Sequence, residues 1–386
     1  MFGLHVSLKR SRTVAIADIG SASAAVGILL AHRSGPSIFL NTHRSFITQE
    51  KRAKEHSVVG IAGALKDATD ICLKAYRARA EKVAAPTELF AFLRAPWSAS
   101  TVTNISESYA DPMLVTDSIM NAFAKKAVAA SGGALSSNLM EATLLRTEIN
   151  GYQTQKPLGK TARSLLISAL ISTANEKMKN SAAETLRADF PVLTPQWRSH
   201  TRAILTVLRE YPAHLRHCLI VDIASEGTSA IVMRDGIIDS QTAFENGVHS
   251  ILHKLNSNAL PDETLGLINM LEHEQCSAEE CDVLRGAMGV AEQELVRMYG
   301  EEFGKLAMKK KLPNDLLLFV HADLVPWLSR VFSRIDFSQF TATSQPFAVH
   351  ALAIKDLLTW IQSDTGVAPD VSLALAGALV HIEARE

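Results

Sequence analysis

Two stretches of this sequence end an apolar run on an aspartate and follow it with small residues. One run ends at Asp18 and continues into residues 20–23, and the other ends at Asp222 and continues into residues 224–229. A strand–turn–strand with small residues at its tip exposes several backbone N–H groups in one concavity, and such nests bind phosphate. A neighbouring carboxylate can hold Mg²⁺ through water, because Mg²⁺ keeps most of its hydration shell. These residues therefore predict binding of nucleotide phosphates.

The candidate phosphate-binding residues are the two aspartates, the small residues of both turns and the glycine after the second hairpin: Asp18, Gly20, Ser21, Ser23, Asp222, Gly227, Thr228, Ser229 and Gly247. Asp18 and Asp222 are also the candidate Mg²⁺ ligands, through water. The alternative is that both turns serve the fold alone, since a nest binds phosphate only where the approach is clear. Glu226 places a negative charge in the second turn and favours that alternative.

Each turn must be positioned by paired strands. Apolar runs on both sides of each turn predict two hairpins, and Asp235-Gly236 leads the second hairpin into a third strand. After the first hairpin the sequence predicts strands at 37–40 and 44–47, an amphipathic helix at 55–83 and a strand at 88–93. The repeated pattern predicts two related half-domains that face each other across a cleft.

Between residues 98 and 190 the composition shifts to Ser, Thr, Ala and Lys. This segment predicts helices at 117–130 and 174–188 and strands at 141–149 and 164–171. Further on, residues 248–312 are helical with a break at Pro261, and a strand at 315–320, a helix at 324–334 and a closing helix at 368–379 follow.

The paired Asp-Ile hairpins resemble those of the actin-like ATPase superfamily. The inserted segment resembles that of the FtsA/PilM type, through Leu114-Val115-Thr116, the turn Ile149-Asn150-Gly151 and the turn at 156–159. The closing segment at 368–379 is similar to the helix that ends the family's fold. The resemblance implies an α/β, actin-like (ribonuclease H-like) two-domain fold with an inserted SHS2-like 1C subdomain of strands and helix.

The resemblance also implies domain boundaries and a cofactor. Domain I would comprise residues 13–97, 188–217 and 346–386, the insert residues 98–187, and domain II residues 218–345. ATP with Mg²⁺ is the implied cofactor. The chain departs from the family where His321-Ala322 replaces a Gly-Gly turn against adenosine, and where Gln196 and His200 are the nearest candidates to orient an attacking water. At most a slow ATPase is expected.

The implied function is a cytoplasmic, nucleotide-responsive adaptor that binds partner proteins or copies of itself at the inner membrane face, in cell division or type IV pilus assembly. The alternative is a nucleotide-free scaffold of the same fold, a pseudo-ATPase. A sugar or acetate kinase on the same core would need a substrate-binding insertion and a catalytic aspartate, and neither is evident. The sequence does not distinguish the pathways or show whether filaments form.

Composition excludes other classes. The 386 residues are 47% hydrophobic and 20% charged, which is typical of globular proteins. Because 39 basic residues balance 40 acidic ones, no overall positive field attracts nucleic acid. No secretory signal or membrane span is evident, so membrane contact is expected only through partners. The four cysteines predict no disulfides, and the segment from His273 to Cys281 lacks a fourth zinc ligand.

Overall fold

The computed structural model describes residues 11–47, 57–79, 84–131, 138–210 and 216–385. The chain divides into two compact units. The first unit is Met1–Val207 with Ala353–Glu386, and the second unit is Leu208–Leu352. Residues 55–56 and 80–83 of the predicted first helix lie outside the described residues.

The first unit is built on a six-stranded sheet in the order β15-β3-β2-β1-β4-β9. Its strands are β1 (Arg12–Ile19), β2 (Ser23–Ala31), β3 (Ser37–Phe46), β4 (Glu88–Leu93), β9 (Gln196–Ser199) and β15 (Ile361–Ser363). The strands β1, β2 and β3 form an antiparallel meander, and β4 runs parallel to β1. The two short strands predicted at 37–40 and 44–47 are one strand, because residues 41–43 between them pair with β2. The register shifts once, opposite Ile28 and Leu29, as at a β-bulge.

Four helices accompany this sheet, namely α1 (Ser57–Arg77), α3 (Glu176–Asp189), α4 (His200–Arg209) and α9 (Val371–Glu383). One face of the sheet shares an apolar core with α1 and α3. Met178, Ala182 and Leu186 of α3 belong to this core together with Ile61 and Leu65 of α1. Although α3 follows the insert in sequence, its apolar face therefore belongs to the core of the main sheet.

The insert forms a four-stranded sheet in the order β5-β8-β6-β7, which we call the inserted sheet. Its strands are β5 (Ser98–Leu114), β6 (Leu139–Ile149), β7 (Tyr152–Gln153) and β8 (Thr161–Ala174). The helix α2 (Asp117–Ala130) covers one face, where Phe123 packs with Leu165 and Ile167. The sequence did not predict β5, because its Ser, Thr and charged residues give an edge strand with little apolar alternation.

The second unit contains a five-stranded sheet in the order β12-β11-β10-β13-β14. Its strands are β10 (Cys218–Ile223), β11 (Thr228–Arg234), β12 (Ile237–Phe244), β13 (Asp315–Phe319) and β14 (Ala348–Ala351). Its helices are α5 (Val248–Leu255), α6 (Pro261–Glu272), α7 (Ala278–Ala307) and α8 (Val325–Phe332). Pro261 is the first residue of α6, where its missing N–H costs no helical hydrogen bond. Aromatic residues of α7 and α8, including Tyr299, Phe303 and Phe332, pack at the centre of this unit's core.

The two sheets repeat one topology. In each, a three-stranded antiparallel meander continues into strands parallel to its first strand. The aspartates occupy equivalent registers, since Asp18 pairs with Ala25 and Asp222 pairs with Ser229. The repeated hairpin in the sequence therefore corresponds to a repeated half of the fold.

One expectation about the cysteines is wrong. Cys276, in the turn between α6 and α7, forms a disulfide with Cys281 near the start of α7, with Cα atoms 5.8 Å apart. A separation of that size allows a bridge, and the turn between the two helices produces it. Cys72 and Cys218 are buried free thiols. Among the described residues, no helix is both long and apolar enough to cross a membrane.

Candidate functional site

The first hairpin places Asp18, Gly20, Ser21 and Ser23 at the end of β1. The Gly20 N–H donates to the Ser23 carbonyl at 2.9 Å, which makes the turn tight. Trp97 Nε1 donates to the Gly20 carbonyl at 2.7 Å, so the turn is also tied to the segment that follows β4. Ser21 is buried, and its Oγ has no hydrogen-bond partner among the described residues.

An arginine that no sequence pattern indicated reaches this turn from β3. Arg44 lies opposite Ala25, and its Nη2 donates to Asp18 Oδ2 at 2.6 Å. Its Nη1 donates to Ser23 Oγ at 2.8 Å. On the other side, Nε and Nη2 donate to the two carboxylate oxygens of Asp370 at 2.8 and 3.0 Å. Asp370 in turn caps the N-terminus of α9.

The opposite charges of this cluster stabilise the ionised forms of its members. Burial by itself lowers the pKa of Arg44, but attraction to Asp370 and Asp18 outweighs burial and raises that pKa above its ordinary value. Burial raises the pKa of Asp370, and the charge and hydrogen bonds of Arg44 outweigh this and lower it. Arg44 and Asp370 are therefore ionised at neutral pH.

The surroundings of Asp18 do not fit Mg²⁺ held through water. The Asp18 side chain is 0% exposed, and its Oδ2 is occupied by Arg44. Mg²⁺ gives up its water ligands reluctantly, so a hydrated ion needs a carboxylate that water can reach. In this chain a guanidinium stands where the resemblance implies a hydrated metal. Within the described ranges, no group of three or more His, Cys, Asp or Glu side chains could hold a metal ion.

The second hairpin is organised by the start of α5. The Ala224 N–H donates to the Gly227 carbonyl at 2.9 Å and closes the turn. The N–H groups of Val248 and His249 donate to the carbonyls of Ala224 and Ser225 at 2.9 and 3.0 Å. The first turn of α5 thus binds the hairpin's own backbone, and these two donors are not free for a phosphate.

Gly247 is required at the junction between this hairpin and α5. A Cβ at this position would lie 2.4 Å from the carbonyl oxygens of both Ala224 and Ser225. At Gly20, by contrast, the nearest atom would be the Ser23 carbonyl oxygen at 3.4 Å. Gly247, predicted as a nucleotide contact, therefore has a packing role of its own.

The side chains of the second turn divide into inward and outward groups. Thr228 is buried, and its Oγ1 donates to the Asn246 carbonyl at 2.5 Å and lies 3.3 Å from the Tyr299 hydroxyl. Glu226 pairs with His249 at 2.7 Å. Asp222 and Ser229 remain partly exposed. Of the side chains predicted in this hairpin, Asp222 and Ser229 are thus the two best placed to meet a ligand.

The structure also shows where the residues that depart from the family pattern lie. His321 follows β13, where its Nδ1 accepts a 3.4 Å hydrogen bond from the Asp323 N–H, and the ring is half-exposed. His200 is buried at the start of α4. Gln196 lies on β9, and its Oε1 accepts from Arg198 at 3.4 Å.

A second buried charge cluster joins the inserted sheet to the main body of the first unit. Glu141 of β6 accepts from the backbone N–H and the hydroxyl of Ser199 at 2.8 and 2.5 Å, and from Arg202 Nη1 at 3.1 Å. Arg202 and Arg198 also pair with Glu383 of α9, at 2.6 and 3.1 Å. No local sequence pattern predicts this cluster, because its members come from three distant segments.

Comparison with known proteins bears on the fold. No protein-family model and no curated protein sequence matches this chain. The solved structure of a PilM–PilN type IV pilus biogenesis complex matches with a TM-score of 0.58 and 12% identity, over 97% of this chain and 99% of that one.

Two further structures align at lower scores. The ethanolamine utilization protein EutJ from Carboxydothermus hydrogenoformans has a TM-score of 0.40 and 12% identity, over 96% and 90% of the two chains. A Bacteroides thetaiotaomicron protein with an actin-like ATPase fold has a TM-score of 0.39 and 8% identity, over 92% and 99%.

The fold class predicted from the sequence is confirmed. The duplicated sheet topology and the match over nearly the full length of both chains agree with each other. At 12% identity this likeness concerns the fold and not the activity. The chain has the actin-like ATPase fold.

Proposed function

We propose that this chain is a PilM-type scaffold that binds a protein partner through its inserted sheet, at the inner face of the cytoplasmic membrane. The observation that carries the proposal is that the inserted sheet has an open edge. The sheet itself is firmly attached to the main sheet of the first unit. The structural match to the PilM chain of a PilM–PilN complex supports it. Self-association through the same sheet is the alternative, which the resemblance of the insert to the FtsA type implies.

The inserted sheet offers an edge for strand addition. β5 has β8 on one side, and no other described strand pairs with it. At the opposite edge, β7 pairs with β6 only at Glu148 and Ile149. Nearby, Leu144 is 47% exposed and Tyr152 is 80% exposed. An extended peptide can bind such an edge through main-chain hydrogen bonds and place apolar side chains on these two residues.

The predicted strand at 164–171 contributes to the core of the insert and not to this surface. Leu165 and Ile167 are buried beneath α2, so they stabilise the insert itself. The proposed contact residues are therefore Leu144 and Tyr152.

The Glu141 cluster makes this surface rigid relative to the main sheet. Its carboxylate is buried and accepts three hydrogen bonds from Ser199 and Arg202. Removing one partner of a buried charge pair is strongly destabilising, so the attachment should persist while a partner is bound. A partner bound to this sheet would therefore be held in a fixed position relative to the first unit.

Of the two versions of this proposal, the Arg44–Asp18 pair favours the nucleotide-free scaffold over the nucleotide-responsive adaptor. It closes the first turn to hydrated Mg²⁺. Asp222 and Ser229 remain the candidate contacts for a nucleotide in the second unit. Calorimetry with ATP and Mg²⁺ at millimolar concentration tests this choice, and binding weakened at least tenfold by Asp222→Ala would support the nucleotide-responsive version instead.

The partner site is tested with a labelled N-terminal peptide of a PilN-like protein from the same genome, because the resemblance implies that PilM-type proteins bind a partner's N-terminal peptide. We expect Leu144→Glu with Tyr152→Glu to weaken binding at least tenfold in fluorescence anisotropy, because a charge at each position removes the apolar contact. Val283→Glu on α7, at a residue that is 71% exposed in the second unit, is the matched control and should bind like the wild type. Equal affinity in all three proteins would refute the site.

Deletion of the insert is a second test, and the structure sets its limits. Removing residues 98–187 would also remove Met178, Ala182 and Leu186 from the core. Ser98 and Ala174 are cross-strand partners, so residues 99–173 can be replaced by a short Gly/Ser linker. The deletion protein should fold and lose the peptide. Glu141→Gln in the intact chain controls for loss of the buried cluster.

The proposed membrane location is indirect. We expect the purified protein to stay in the supernatant when anionic liposomes are sedimented at physiological salt, and to sediment once a lipid-anchored PilN-like peptide is added. Sedimentation without the peptide would show direct lipid binding.

A further inference from the structure

The guanidinium of Arg44 is enclosed by oxygen atoms. Asp18 Oδ2, Ser23 Oγ and both carboxylate oxygens of Asp370 accept its hydrogen bonds at 2.6 to 3.0 Å. Two of these three residues are acidic, and the charge of Arg94 also acts on Asp370. An all-oxygen cage with two carboxylates is the kind of ligand set that divalent hard cations select.

A further oxygen in this cage lacks a partner. Asp18 is 0% exposed, and its Oδ1 has no hydrogen-bond partner among the described residues. A buried carboxylate oxygen is costly to leave without a donor or a cation. Without Arg44, both oxygens of Asp18 would be open to a cation.

We propose that Arg44 occupies a latent divalent-cation site formed by Asp18, Ser23 and Asp370, and that its guanidinium replaces the metal permanently in the wild-type protein. The Asp370 side chain is 40% exposed, so a cation could enter beside it once Arg44 is shortened. An ion that enters there can exchange some of its water ligands for oxygen atoms of both carboxylates. A hydrated ion that faces Asp18 alone has only one carboxylate to replace its water. The inference does not depend on the proposed partner binding.

The consequence concerns how the first turn responds to ions. A covalently attached cation neither dissociates nor varies with metal concentration, so the charge of this turn is constant. Anything that binds there should do so equally well with and without Mg²⁺. The hairpin would then retain its shape as a structural element, and metal would not regulate it.

Arg44→Met tests the proposal, because methionine fills similar space and removes the guanidinium from Asp18 Oδ2, Ser23 Oγ and Asp370 Oδ2. Mn²⁺ binding to the full chain is followed by electron paramagnetic resonance without nucleotide. We expect Arg44→Met to bind one Mn²⁺ at least tenfold more tightly than the wild type, and Asp18→Asn in that background to abolish the gain. Arg234→Met is the matched control, since Arg234 pairs with Asp239 at 3.1 Å in the second unit, and it should gain no site.

A stability measurement keeps the test decisive if Arg44→Met folds poorly. A cation that binds only the folded state raises its stability by mass action. Millimolar Mn²⁺ or Ca²⁺ should therefore raise the melting temperature of Arg44→Met by several degrees and leave the Asp18→Asn/Arg44→Met protein unchanged. Absence of both Mn²⁺ binding and stabilisation in Arg44→Met would overturn the proposal. A wild-type Mn²⁺ site that Asp18→Asn removes would also overturn it.

Discussion

The two hairpins have nearly the same sequence pattern and different surroundings. In the first, Asp18 is buried and paired with an arginine from β3. In the second, Asp222 is partly exposed, and the turn is held by backbone donors at the start of α5. One turn is therefore stabilised by buried charge and the other by backbone hydrogen bonds and close packing.

In this chain, the phosphate-loop pattern therefore predicts the backbone turn correctly, but it does not determine whether the turn can bind a metal ion. Whether an aspartate can meet a metal depends on which side chains reach it from other strands and segments of the fold. For Asp18 that neighbourhood includes Arg44 of β3 and Asp370 from the C-terminal segment. The predicted contacts at Asp18, Gly20, Ser21, Ser23, Asp222, Gly227, Thr228, Ser229 and Gly247 stay predictions for the nucleotide-responsive version.

The largest expected difference between the hairpins follows removal of their aspartates. Asp18→Ala leaves part of the Arg44 guanidinium buried without its partner, and breaking a buried pair costs about 3–5 kcal/mol. Asp222→Ala, at a partly exposed residue, should lower the free energy of unfolding by about 1 kcal/mol or less. Urea denaturation followed by circular dichroism measures both. Equal losses would mean that the two aspartates have equivalent environments.

A smaller difference is expected at the glycines. In Gly247→Ala, the added Cβ would meet two backbone carbonyl oxygens at 2.4 Å, and backbone atoms cannot move aside as a flexible side chain can. We expect a loss of about 1–3 kcal/mol, which is typical of overpacking. Gly20→Ala is the matched control with a first contact at 3.4 Å, and it should melt within a few degrees of the wild type. A more severe effect at Gly20 would reverse the comparison.

The smallest effect concerns pH and belongs to the first unit. His381 of α9 is buried with its Nδ1 2.8 Å from Ser37 Oγ, and burial, followed by the charges of Arg385 and His32, lowers its pKa from 6.5. The unfolded chain therefore binds this proton more readily than the folded one, so stability is constant above pH 6.5 and decreases as the pH falls below it.

Thermal melting between pH 5 and 8 measures this effect. His381→Asn should flatten the acid side of the profile, because it removes the group whose pKa is lowered by burial in the folded chain. His273→Asn, at an exposed histidine of the second unit, is the control and should keep the wild-type profile. An unchanged profile in His381→Asn would assign the acid sensitivity to another group.

Much of the fold is determined locally in the sequence. The apolar strands, the Asp235-Gly236 turn and the turn at Asn150 and Gly151 are decided by residues close together in the chain. Asn150 and Asp235 have φ values of 54° and 52°, which suit the turn-forming residues that stand there. For this reason the sequence predicts the hairpins, the insert and the repeated halves.

The local pattern fails where polar strands carry few apolar residues. β5 and β9 were missed because their residues do not alternate strongly, and neighbouring strands supply the pairing that makes them extended. The core position of α3 was also missed, since its amphipathic pattern shows an apolar face without showing what that face meets.

The charge clusters were decided by the tertiary structure alone. Arg44 meets Asp370 across 326 residues, and Glu141 meets Ser199 across 58. Such pairs depend on strand order and register, which place distant residues side by side and which no local pattern encodes. The sequence by itself determined that two aspartate-ended hairpins form. Only the packing of β3 and α9 against the first hairpin decided that its aspartate faces an arginine.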